Sequence, residues 1–216
     1  MAKLTDRNRD WFIILFVALI MGIVVAPQLA MNWGFVLNVG WRLTLVCALL
    51  AASIHRSELW VALAVAAVAT VFELLERLEF REVGQFLDIV ILIYAAFRIL
   101  RFVFRGRVTA NTIFAAVCVY LMIGQIFAQG MGLLTLMRGH GIIVDRAGSF
   151  ASMEELVYFS YSTLTTTGLG DFRPVTPFAR TLVAVEALSG QLFLVLFIGR
   201  LVGLHVSRNN TFQDAE

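Results

Sequence analysis

Thr165-Thr166-Thr167-Gly168-Leu169-Gly170-Asp171 follows directly on the run Leu156-Val157-Tyr158-Phe159-Ser160-Tyr161-Ser162-Thr163-Leu164. That preceding run has the composition of a membrane helix but only about three turns of length, whereas a bilayer crossing takes about 20 residues. It must go in and come back, as a re-entrant helix. Ser152 with Glu155 three positions later reads as its capped start. Non-helical backbone at membrane depth is tolerated only where protein buries it or where it lines a water-filled path. In the seven residues after the helix, glycines alternate with other residues, and glycine takes left-handed dihedrals at no steric cost. Successive carbonyl oxygens can then face one way, into a narrow path, and replace the water shell of a dehydrated cation. The Thr166 hydroxyl would add an oxygen at the inner end. The negative dipole end of the short helix favours a cation below it.

The rest of the chain agrees with a membrane setting. Of its 216 residues 60% are hydrophobic and 15% charged, against roughly half and a quarter in soluble domains, and mean hydropathy is +0.84. Six spans of about 20 residues leave roughly 90 for loops and tails, too few for a sizeable extramembrane catalytic or sensor domain. A net charge of +2 with dispersed basic residues gives no sign of a nucleic-acid partner. Cys47 and Cys118 lie in apolar runs and read as small core hydrophobes. His55, His140 and His205 are far apart, without ligand spacing. No resident metal site, cofactor, small-molecule substrate or nucleophile–base pair is expected, and the protein is read as no enzyme.

The predicted spans run from Trp11 to Met31, about Phe35 to Ile54, Ser57 to Leu75, Val83 to Phe104, Ala110 to Leu134 and Phe178 to Val206. Basic residues before the first span also resemble the start of a signal peptide. Its apolar run is longer than an ordinary signal core, and Ala26-Pro27 makes a poor cleavage site, so a retained helix is expected. An acidic stretch from Glu73 to Glu82 reads as an outer loop, and a Gly-rich loop from Gly130 to Gly148 leads to the re-entrant helix. Even parity puts Lys3, Arg7, Arg9, Arg56, Arg105, Arg107 and Arg208 on one side, the cytoplasmic one by the positive-inside rule. The expectation is an all-α protein of six transmembrane helices, multi-pass in the cell (inner) membrane, with both termini cytoplasmic. Residues 1–107 form a four-helix membrane domain, 108–208 a pore domain, and 209–216 a short cytoplasmic tail.

From Tyr158 to Asp171 the sequence resembles the pore helix and selectivity filter of potassium channels, whose signature is Thr-Val-Gly-Tyr-Gly-Asp. The resemblance covers about Val108 to Val206 and is closest to bacterial members of the two-helix-pore ion channel family, with Pro174-Val-Thr-Pro177, Gly190-Gln-Leu-Phe and Arg200-Leu-Val-Gly-Leu-His205 fitting as well. It implies a filter at Thr166, Thr167, Gly168, Leu169 and Gly170, with potassium ions held at the first four. It also implies an outer-mouth carboxylate at Asp171, pore-helix support from Tyr158 and Phe159, and an inner-helix hinge at Gly190. Two positions depart from the signature: Leu169 stands for Tyr and Thr167 for Val. In the family those side chains point away from the ions. Leu169 would therefore keep the oxygen ladder while removing the phenol that tethers the filter, and weaker discrimination against sodium is expected. A Gly-Leu-Gly filter also resembles one filter of two-pore-domain potassium channels.

One filter per chain cannot enclose an axial path, so a homotetramer is implied, its partners being itself and membrane lipid. Helical spacing from Gly190, taken with the family pattern, points Gln191, Leu194, Ile198 and Val202 inward. Ile198 and Val202 are candidates for an apolar gate that closes by dewetting; the alternative is a face toward lipid or a neighbour. Glu186, an intramembrane carboxylate, is a functional candidate, read as a brace to Ser160 or Thr163 behind the filter, with a direct role toward the ion as the alternative. Four helices ahead of a pore resemble a voltage sensor, but Arg98, Arg101 and Arg105 crowd the inner end and are read as a basic interfacial anchor, with voltage sensing as the alternative. Arg42, Glu73 and Asp88 are expected at one depth, and Arg98, Glu58 and His55 at another. The activity expected is passive, potassium-preferring ion conduction. A non-selective monovalent cation channel on the same scaffold is the alternative, and a potassium transporter subunit a distant one.

Overall fold

The computed structural model describes residues 12–23, 44–48, 78–105, 109–138, 143–145 and 148–213. In chain order its elements are α1 (Phe12–Ile23), α2 (44–48), α3 (Leu78–Arg105), α4 (Ala110–Arg138), β1 (Ile143–Asp145), α5 (Met153–Leu164), β2 (Phe172–Pro174) and α6 (Pro177–Gln213). Two described helices are long and apolar enough to cross a membrane: α4, and α6 over Pro177–Gly203. The expected second and third spans lie outside the described residues except for α2, and the first is described only over α1.

Local sequence explains the ends of these helices. Thr109 and Thr112 exchange side-chain and backbone bonds at the start of α4. Thr176 caps α6 through Ala179 N–H at 3.1 Å, and Pro177 takes the first helical position, where its missing donor costs nothing. α3 begins at Leu78, so part of the acidic stretch expected as loop is helix. Carboxylates are tolerated there because the first turn is the positive end of the helix dipole. α4 runs to Arg138 and takes in Gly130 and Gly132, which shortens the expected Gly-rich loop. α6 continues to Gln213, since no Gly or Pro after Gly203 interrupts it.

On α3 a single stripe is buried: Asp88, Leu92, Ala95, Ile99 and Val103, three to four residues apart. It packs on Ala115, Ala116, Val119 and Met122 of α4 together with Leu15 and Leu19 of α1 and Phe193 and Phe197 of α6. The outer face of α3 is apolar too, with Phe86, Val90, Ile93 and Phe97 exposed. A helix that is hydrophobic all round belongs in a core or a membrane. A second core, Met131, Ile143, Leu156, Phe159 and Ala179, holds α5 between α4 and α6. Here lies a feature absent from the all-α expectation: β1 and β2 pair antiparallel, with Val144 opposite Arg173. The pairing ties the chain entering α5 to the chain leaving the segment after it. Both cysteines are free, and the Cys118 thiol lies 3.5 Å from the Phe12 carbonyl.

Candidate functional site

The site is built on the C-terminal end of α5. At its N-terminus both halves of the capping box are present: Ser152 N–H donates to Glu155 Oε2 at 2.7 Å, and Glu155 N–H to Ser152 Oγ. Twelve residues at 1.5 Å each give about 18 Å, well short of a hydrocarbon core of about 30 Å.

After Leu164 the backbone alternates in handedness. Thr166, Gly168 and Gly170 have φ of 56°, 55° and 72°. Two of these are glycines, for which the left-handed region is free; at Thr166 it is strained, by about 1–2 kcal/mol. The hydrogen bonds show what the alternation achieves. Thr166 N–H donates to the Thr163 carbonyl at 2.9 Å, and Thr167 N–H and Gly168 N–H both donate to the Ser162 carbonyl at 2.9 and 3.2 Å. Leu169 N–H approaches Ser162 Oγ at 3.5 Å. Four successive N–H groups thus face back to α5. Among the described residues no peptide is cis, and in a trans peptide the carbonyl points opposite the following N–H. The carbonyls of Thr165, Thr166, Thr167 and Gly168 therefore share the other side, away from the helix.

Residues 165–170 are exposed in the single chain, and Leu169 retains 57% of its surface. Thr165 and Thr167 hydroxyls lie 2.9 Å apart. Beside the segment opens a cavity of about 300 Å³, lined by Phe159, Thr163, Leu169 and Phe172 among others. At the outer end Asp171 Oδ1 accepts from Phe172 N–H at 3.1 Å, and the Asp171 carboxylate interacts with the Tyr158 side chain. The Tyr158 ring meets Phe172 edge-on at 6.1 Å. Phe159 is buried in the second core.

Inner-helix residues fall into two stripes. Glu186, Gly190, Phe193 and Phe197 face the chain's own helices and are buried. Gln191, Ile198 and Val202 are exposed on another face, with Leu194 half-buried. Gln191 Nε2 donates to Thr166 Oγ1 at 3.2 Å, joining α6 to the first left-handed residue. Glu186 is fully buried and contacts the Ser160 hydroxyl, which also lies 2.6 Å from the Gly124 carbonyl of α4. At Gly190 a Cβ would come within 2.4 Å of the Leu164 carbonyl oxygen.

Three supporting groups escape a reading of the sequence alone. Ser162 serves mainly through its backbone carbonyl, which residue type does not encode. Gly124 lets the Tyr161 ring approach, since a Cβ would lie 2.7 Å from it, and the Tyr161 hydroxyl then donates to the Leu121 carbonyl at 2.7 Å. A lone glycine inside a helical pattern was the available signal. Tyr120, likewise, donates to the Leu164 carbonyl at 3.3 Å.

On α3, Arg98 donates to Tyr94 at 3.2 Å and lies over its ring, and Arg101 lies over Phe97. Arg105 is exposed in the last turn. Arg42, Glu58 and Glu73, expected in the charge layers, lie outside the described residues, while Asp88 is buried. Among the described residues no cluster of three or more His, Cys, Asp or Glu could hold a metal ion.

Residues 112–205, a little under half the chain, match a family model described as "Ion channel". No curated protein and no solved structure matches the chain. The match and the two long apolar helices support an ion channel in a membrane.

Proposed function

We propose that the chain is a passive, potassium-preferring channel, with residues 166–170 as its selectivity filter and a homotetramer as its working form. One observation carries this reading. Left-handed residues alternate along the segment, and the N–H groups of residues 166–169 face back to α5, which leaves a row of carbonyl oxygens directed outward. Such a row offers a dehydrated cation replacements for its water shell. A single row makes one wall, and fourfold repetition closes the path. The exposed filter and the largely uncovered α6 support contact with further copies. In the assembly Ile198 and Val202 would form the apolar constriction, and Asp171 the outer carboxylate ring.

The full proposal places six spans in the inner membrane with both termini cytoplasmic, and lipid as the only other partner. Conduction of this kind needs neither cofactor nor catalysis. Leu169 favours a second reading, a non-selective monovalent cation channel, because it has no hydroxyl to tether the filter. A transporter subunit built from channel-like repeats would require four repeats in one chain.

Reconstitution in planar bilayers with potassium on one side and sodium on the other separates these readings. The reversal potential is expected close to the potassium equilibrium value. A value near zero establishes the non-selective channel, and absence of current from the assembled protein removes both readings.

A further inference from the structure

Ser160 has one hydroxyl proton, yet its oxygen sits at hydrogen-bond distance from two oxygens, the Gly124 carbonyl on α4 and Glu186 Oε1 on α6. The Gly124 carbonyl can only accept. If Ser160 donates to it, the contact with Glu186 is a hydrogen bond only when Glu186 supplies the proton. If Ser160 instead donates to an ionised Glu186, its oxygen faces the Gly124 carbonyl at 2.6 Å with no hydrogen between them. Only a protonated Glu186 makes both contacts attractive.

The surroundings agree. Glu186 is fully buried, and among the described residues its Oε2 has no hydrogen-bond partner. An ionised carboxylate would leave charge on that oxygen without a donor, whereas an acid leaves only a carbonyl oxygen, far cheaper to bury. No cation on the packed elements is within reach by position. The one charged residue of α4 is Arg138, fourteen residues beyond Gly124, and those of α5 are Glu154 and Glu155 in its first turn. On α6 itself Arg180 and Arg200 are six and fourteen residues away. The nearby phenols spend their protons elsewhere, Tyr161 on Leu121 and Tyr120 on Leu164.

We infer that Glu186 is held as a neutral carboxylic acid whose proton fastens Ser160, so that one chain of hydrogen bonds, Glu186 to Ser160 to Gly124, ties α6 through the pore helix to α4. Glu186 is thereby a positioning residue: it touches no ion and keeps the two residues before Ser162, the filter's anchor, in register with both flanking helices. The inference deepens the filter assignment proposed above and, as to its consequence for conduction, rests on it.

Infrared spectra of the full chain in lipid bilayers at neutral pH test the protonation directly. Subtracting the Glu186→Gln spectrum from that of the unsubstituted protein is expected to reveal a carboxylic-acid carbonyl band, and Ser160→Ala should displace that band. Loss of the paired carboxylate bands in its place would overturn the inference, whether or not the protein conducts. The second arm uses bi-ionic reversal potentials. Glu186→Leu is expected to lower the potassium-to-sodium permeability ratio about 2–10-fold, the scale of one lost hydrogen bond. Glu186→Gln, which restores an N–H donor, should recover most of that loss. If Gln fails as fully as Leu, the donor role is wrong. If the spectra are as expected but the ratio is near one in every variant, the neutral Glu186 stands and potassium preference falls.

Discussion

The helices α4 and α6 are alike in apolar character and opposite in how their own chain treats them. Half of the most apolar stretch of α4 is buried within the chain, against 17% for α6. α4 lies among α1, α3, α5 and α6, and its buried positions run around much of its circumference. α6 commits one stripe inward and leaves Val185, Leu188, Leu192, Val195 and Leu196 exposed. Lipid is a sufficient cover for such side chains. It is a poor one for Gln191, which lies among them, because polar groups in hydrocarbon are costly and face a bundle interior or a water-filled path. The contrast teaches that α4 is spent as scaffold within its own chain, while α6 keeps most of its surface free, as the proposed assembly requires.

The harshest way to break this contrast is to thicken α6 on its committed side. Gly190→Ala places a methyl 2.4 Å from the Leu164 carbonyl oxygen, a backbone atom that cannot rotate away. Overpacking of this kind costs about 1–3 kcal/mol, so assembled, conducting protein should fall about 10–100-fold, read by native mass spectrometry and potassium flux from vesicles. Gly199→Ala and Gly203→Ala are the counterpart on the other side, where nothing lies within 4 Å. In an uncovered helix they should gain about 0.5–1 kcal/mol. Should they instead disrupt the oligomer, another copy covers that part of α6, which sharpens the contrast without breaking it.

Gln191→Leu asks which medium faces the open side. If it were lipid, Leu would be welcome and the protein more stable. If the side chain borders a water-filled path and holds Thr166 at 3.2 Å, its loss removes one hydrogen bond, about 0.5–1.5 kcal/mol. The potassium-to-sodium permeability ratio should then drop about 2–10-fold. In a Thr166→Val background the same change should add little, because the partner oxygen is already gone.

The legible parts of this molecule were those whose chemistry is contiguous in the chain. A short helix, a capping box and alternating glycines announce a re-entrant segment, and the structure has α5, both capping bonds and the left-handed Gly168 and Gly170. The left-handed Thr166 was hidden, because a β-branched residue gives no sign of a conformation that costs it energy. Gly190 was legible as a glycine with a role but not as a contact, since the Leu164 carbonyl it admits lies 26 residues earlier in the chain. The β1–β2 pair was illegible for a related reason: three-residue strands carry no periodicity, and their pairing spans the whole functional segment. Paired charge layers in the first half involve Arg42 and Glu73, which lie outside the described residues.

The smallest expected effect concerns α3, whose arginines resemble a voltage sensor in position more than in surroundings. A gating charge must exchange partners as it moves through the membrane field, and steep gating uses about 3–4 such charges per subunit. Among their contacts Arg98 and Arg101 have aromatic partners one turn back on their own helix, with centroids at 5.8 and 5.7 Å. Contacts within one helix travel with it and neither drive nor register its displacement. They are suited to holding a basic end at the inner interface. Conductance–voltage curves should therefore be shallow, and Arg98→Gln or Arg101→Gln should leave their slope nearly unchanged while lowering the amount of correctly inserted protein slightly. A steep curve flattened by either change would give α3 a moving role, and would make the stripe it buries on α4 a sliding surface and not a fixed one.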